Sequence, residues 1–154
     1  AQGTFRTLHG RHPRHRTRFT GKVKTGKPAV THFKVLERLR EAALVEVGLE
    51  TGRTHQIRVH FAEAGFPLIS DEVYGGKRAQ RPQVIARQAL HAWKLSFKHP
   101  RTGKALSFTA APPRDFKDAE KRLAVQSTAA PHPSPLPAGA GRGSNSRSEH
   151  ADGD

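Results

Sequence analysis

The sequence predicts an α+β fold, and three observations predict it. Two pairs of segments alternate apolar and polar residues with a period of two, and each pair is joined by a short polar link. Between the pairs lies a segment with apolar residues at helical spacing, bounded by glycines. A chain of 154 residues with 34% hydrophobic content has room for one domain with a modest core around such elements.

In the first pair, Thr31, Phe33 and Val35 alternate with His32 and Lys34, and Val45, Val47 and Leu49 alternate with Glu46, Gly48 and Glu50. This predicts two antiparallel strands joined near Arg40 to Ala42. In the second pair, Leu95 and Phe97 precede His-Pro-Arg-Thr-Gly, after which Leu106, Phe108 and Ala110 alternate again. That predicts a hairpin with its turn at 100–103. The helix falls at 55–64: Gly52 breaks the preceding strand, Thr54 caps with its hydroxyl, Ile57, Phe61 and Ala64 recur at helical spacing, and Gly65 ends the run. On it Ile57 and Phe61 face the core. Arg58, about 100° around the axis, either reaches a neighbouring cleft or pairs with a local carboxylate such as Glu50 or Asp71.

The flanks read differently. Residues 1–28 are expected to form a basic arm, because Phe5 to Arg18 shows neither period and is crowded with arginine. The folded part runs over 29–124. Residues 125–154, rich in Ser, Pro, Ala and Gly, are expected to be disordered, since such a segment cannot bury enough apolar area to offset chain entropy.

Charge narrows the function. Lysine plus arginine exceed the acids by 27 to 13, and Glu37 is the first acid in the chain. A front end this basic suits a polyanion, most often nucleic acid. His9, His12 and His15 are three apart, but imidazoles among cationic arginines, with no carboxylate before Glu37, make a poor dication site. Phosphate suits the arginines better, because a guanidinium fork matches its oxygens. The RNA-contacting candidates are Arg11, Arg14, Arg16 and Lys27, with Arg53 and His55 at the positive end of the helix. Cysteine is absent, so disulfides and thiolate metal sites are excluded; a reducing cytoplasm is compatible. No apolar run approaches 18 residues, and nothing points to a membrane or to export.

Leu49 to His60, Leu-Glu-Thr-Gly-Arg-Thr-His-Gln-Ile-Arg-Val-His, and Phe66 to Gly76, Phe-Pro-Leu-Ile-Ser-Asp-Glu-Val-Tyr-Gly-Gly, resemble the late block of the RluA-type RNA pseudouridine synthases. Gly-Lys-Pro-Ala-Val-Thr-His upstream and Arg-Gln-Ala-Leu-His-Ala, His-Pro-Arg-Thr-Gly and Ala-Pro-Pro-Arg-Asp-Phe downstream occur in the family's order. The resemblance implies part of a mixed, largely antiparallel catalytic domain that isomerises uridine in RNA, with large-subunit ribosomal RNA the closest match of substrate, and with no cofactor and no catalytic metal. It assigns Arg58 the role of the basic residue paired with the family's catalytic aspartate, keeping that carboxylate ionised and aimed. That aspartate belongs to an earlier Gly-Arg-Leu-Asp block, which this chain lacks: no aspartate precedes Asp71. Asp71 itself reads as a turn or capping residue. Ser70 and Glu72 depart from the family's usual glycine and proline. The chain thus looks like the C-terminal part of a synthase, inactive alone, whose partners are RNA and the missing N-terminal part. The alternative is an RNA-binding module derived from such an enzyme.

Overall fold

A computed structural model describes residues 1–127. Four strands, β1 (Gln2–Arg11), β2 (Phe19–Thr20), β3 (Lys27–Leu39) and β4 (Ala42–Leu49), form one antiparallel sheet in the order β2-β1-β3-β4. Helix α1 (Gln56–Glu63) packs on β2 and β3, and a single turn, α2 (Gly76–Ala79), follows it. The hairpin β5 (Lys94–Lys98) and β6 (Ala105–Thr109) makes a separate two-stranded sheet, and α3 (Arg114–Ser127) returns to β3. The mixed α+β class and both hairpins are as the alternation predicts. The β3–β4 link is Arg40-Glu41, with Glu41 at φ 53°, and the β5–β6 turn closes through Gly103 at φ 68°.

The basic arm needs correction. Residues 2–11 are not a loop: β1 lies inside the sheet and pairs with β3 from Gln2↔Lys34 to His9↔Lys27. Its period of two is present, with Gly3, Phe5, Thr7 and His9 facing inward, but two of those four carry polar side chains and the apolar Leu8 faces out. Sequence alternation is hidden when the inward polar groups find hydrogen bonds: Thr7 Oγ1 meets His60 Nε2 at 2.9 Å, and His9 Nε2 donates to Thr54 O at 2.8 Å. Within the expected arm, loops are left at 12–18, closed by His12 N to Arg18 O and Arg18 N to His15 O, and at 21–26.

The core under α1 joins aromatic packing to a polar seam. Phe33 lies across Gly3 on the neighbouring strand, where a Cβ would come within 2.8 Å of its ring, and Phe5 stacks on Phe33 with Phe61 edge-on to both. Beside this cluster Gln56 clamps three segments. Its amide donates to Val30 O and Thr31 Oγ1, and its carbonyl accepts from Thr51 Oγ1 and Arg53 N. His60 lies between Thr31 and Thr7, and Glu63 accepts from the Thr20 hydroxyl and the Gly21 N–H. The buried stripe of α1 is therefore Gln56, Val59 and His60, with Ile57 and Phe61 only half-buried on its flanks.

At the other end, Ala119 and Leu123 bury one face of α3. The disordered tail was expected from 125, but α3 continues through Ser127; the rest of that segment lies outside the described residues.

Candidate active site and RNA-facing wall

Thr54 does not cap α1. The cap position is His55, which enters the helix in the left-handed region at φ 57° and forms no side-chain cap. A capping hydroxyl requires extended backbone at that position, and here the preceding carbonyl, Thr54 O, is instead fixed by His9. The left-handed entry turns the His55 ring onto Tyr74, whose hydroxyl lies 3.0 Å from His55 Nδ1 and accepts from Phe19 N at 3.0 Å. Phe19 stacks on His9 and meets His55 edge-on, so β1, β2, the start of α1 and the 71–75 turn converge.

Arg58 faces this convergence and pairs with Asp71, not Glu50. Its Nε and Nη2 each donate to one Asp71 carboxylate oxygen at 2.8 Å, and its guanidinium carbon lies 5.1 Å from the centre of the Tyr74 ring. Glu50 bonds His32 at 2.6 Å and stays half-exposed. Asp71 is more than the expected turn residue. It is 0% exposed; its Oδ1 also accepts Val73 N and Tyr74 N at 3.0 Å, and its carbonyl takes Gly75 N and Gln80 Nε2 at 2.9 Å.

The electrostatics follow from these contacts. Burial pushes the Asp71 carboxyl up, but the Arg58 bond and the Tyr74 and Val73 N–H groups overcome it and hold the group below the usual carboxylate range. The same bond raises Arg58 further. Burial, then the Arg58 charge, lowers His55; burial, then His9, lowers His60. The His55 ring, expected among the RNA contacts, is here held toward its neutral form and bonded to Tyr74.

Other candidates divide into two groups. Arg14, Arg16 and Lys27 are exposed, the first two on the 12–18 loop. Arg11 and Arg53 shape the backbone: Arg11 Nη1 donates to Arg16 O at 2.8 Å over the Phe19 ring, and Arg53 Nε donates to Pro28 O at 3.0 Å. Because Phe19 closes that loop and also holds Tyr74, the loop borders the Arg58 site. Sequence reasoning offered Asp71 only as a turn residue or as one of two possible partners of Arg58, and it missed Tyr74 and Gln56 as site-builders. The signal available was an acid three residues before Tyr-Gly in a polar turn.

The family model for RNA pseudouridylate synthases matches residues 1–63. Two proteins named ribosomal large subunit pseudouridine synthase D are similar to this chain. The one from Neisseria meningitidis serogroup B is 48% identical over 122 residues, 74% of this chain and 33% of its own length. The one from Nitrosomonas europaea is 47% identical over 113 residues, 70% of this chain and 32% of its own.

The chain belongs to the RNA pseudouridine synthase family.

It spans about a third of the length of these relatives. Among solved structures, the human RNA pseudouridylate synthase domain containing 1 aligns with a TM-score of 0.63 at 25% identity, covering 86% of this chain and 62% of that one. The human domain containing 4 shares the fold at a TM-score of 0.54 and 22% identity, covering 79% and 56%. The arrangement places a fixed cation beside an aromatic ring, bordered by a basic loop.

Proposed function

We propose that this chain supplies the Arg58 wall and part of the RNA grip of a cytoplasmic enzyme that converts uridine to pseudouridine in large-subunit ribosomal RNA. In that reaction the bond from the ribose carbon to the base nitrogen N1 breaks, the base turns, a ribose–carbon bond forms at C5, and the C5 proton is released while N1 takes one up from solvent. The observation that supports this reading best is the part-buried Arg58, fixed on Asp71 and held over Tyr74 at the foot of a loop whose cations are solvent-exposed. A cation with fixed direction keeps a reacting carboxylate ionised, and the exposed arginines hold the strand on which a uridine is unstacked at a cost of a few kcal/mol.

The reacting carboxylate belongs to the part of the synthase beyond this chain. Asp71 does not serve, because it is closed to solvent and engaged on both oxygens. One face of the β5–β6 hairpin suits that missing part: Leu95, Phe97 and Phe108 lie together and are 60%, 44% and 55% exposed. An RNA-binding module without chemistry is the second reading, favoured by the fact that Arg58 already has a counter-ion.

Tritium release from C5-labelled uridine in RNA separates the two. The 154-residue chain alone is expected to release none, whereas joined to the remaining part of a relative it should release tritium, with Arg58→Ala lowering the rate by orders of magnitude and RNA affinity only modestly. Normal turnover by Arg58→Ala would sink the isomerase role of this wall.

A further inference from the structure

Two of the three guanidinium nitrogens of Arg58 are committed to Asp71, and among the described residues Nη1 makes no hydrogen bond. The anchoring side is rigid. Ser70 enters the turn at φ 57°, and the Gly75 N–H closes it on Asp71 O at 2.9 Å, at a position where an added Cβ would stand 2.5 Å from that same oxygen, so the turn that carries Asp71 is tightly packed. The Tyr74 ring covers one side of the guanidinium, and its hydroxyl is tied to β2 and to His55.

We propose that Asp71 is a positioning residue for the isomerisation: from a site closed to solvent it occupies the Nε–Nη2 edge of Arg58 and presents the Nη1 end to the carboxylate that completes the active site. The proposal rests on the isomerase reading above. It corrects the picture of a free arginine forking onto the catalytic group, because the better fork is already in use. A second carboxylate meets the end of a neutral ion pair, which stabilises its charge less than an isolated cation does and leaves it less acidic. Direction is gained in exchange, and a misplacement of about 1 Å can cost on the order of a hundredfold in rate. The titratable groups facing the pair are His55, from the turn before α1, and Tyr74, from the Asp71 turn.

Two measurements test this. In a chimera in which residues 1–124 complete the Neisseria meningitidis synthase D, Asp71→Asn should lower kcat by about ten- to a hundredfold with KM for RNA little changed. It should also move the acid limb of the pH–rate profile to lower pH, because the unneutralised Arg58 acidifies the catalytic carboxylate; His55→Gln and Tyr74→Phe controls should leave that limb in place. An active chimera whose acid limb does not move with Asp71→Asn overturns the proposal, whereas an unaltered chimera that releases no tritium counts against the isomerase reading instead. The second measurement needs neither turnover nor a folded variant: NMR of the guanidinium nitrogens in the unaltered 154-residue chain. Separate Nη1 and Nη2 signals, from hindered rotation, are expected for Arg58; a single averaged signal means that Asp71 does not hold it and overturns the proposal.

Discussion

Arg58–Asp71 and Arg87–Asp115 are the same bidentate contact in two settings. In each, Nε donates to one carboxylate oxygen at 2.8 Å and Nη2 to the other, at 2.8 Å in the first pair and 3.1 Å in the second. The side chains of the first are 12% and 0% exposed, and those of the second 42% and 46%. Both aspartates are held below the usual carboxylate range. For Asp115 the Arg87 bond leads, while for Asp71 that shift is won against burial. Distance alone therefore does not rank the two. Water can replace either partner of the surface pair and can replace neither partner of the buried one.

The sharpest way to break this comparison is to remove one member of each pair. Asp71→Ala leaves Arg58 without its counter-ion and is expected to cost about 3–5 kcal/mol, a large share of the stability of a domain this size. Replacing both together, Arg58→Met with Asp71→Leu, should recover much of that loss, since no unpaired charge remains. Urea denaturation of the single and double variants measures both; a single variant that unfolds with the parent would place the pair with the surface bridges.

Acid extends the comparison to the histidines of the same wall. His60 has its pKa lowered by burial, so the folded state favours its neutral form. Its contribution is complete above the ordinary value of 6.5 and is lost as pH falls below it, because the unfolded chain then binds the proton more readily. Asp71 is also lowered, so its contribution is lost only as pH falls below the ordinary 3.8. Stability should therefore decline in two stages, and His60→Gln should flatten the first. Urea midpoints between pH 7.5 and about 5 check this; a first stage unchanged in His60→Gln would assign it elsewhere.

The exposed cations of the 12–18 loop should matter through a partner and not through the fold. Arg14, Arg16 and Arg18 are all exposed, and replacing them with alanine should reduce the salt slope of RNA binding by about 0.7 to 0.9 for each phosphate no longer neutralised, while the melting temperature stays put. Arg11 is left intact because it holds Arg16 O. Filter binding at several salt concentrations reads the slope, and an unchanged slope would place the RNA away from the loop. The smallest effect is expected at Asp115→Ala, whose melt should overlay that of the parent; a clear drop would show that exposure does not separate the two pairs.

Both hairpins were legible because each strand alternates on its own and each link carries residues that tolerate a tight turn. β1 was not, since its inward Thr7 and His9 look polar until Thr54 O and His60 are seen to receive them. The span of α1 was legible from Gly65 and the helical spacing, but its cap was not: a left-handed His55 is selected by Tyr74 and Phe19, from segments distant in sequence.

The sequence by itself determined the family and the α+β class. It also marked Arg58 as the residue to watch, since motif order and local periodicity survive without knowledge of contacts. Only the tertiary structure decided that Arg58 joins Asp71 while Glu50 turns to His32, because both carboxylates were available to it by sequence. Burial separated them. One acid stays in water, where an ion pair contributes little; the other lies beneath a turn with every oxygen engaged, where the cation that meets it cannot turn away.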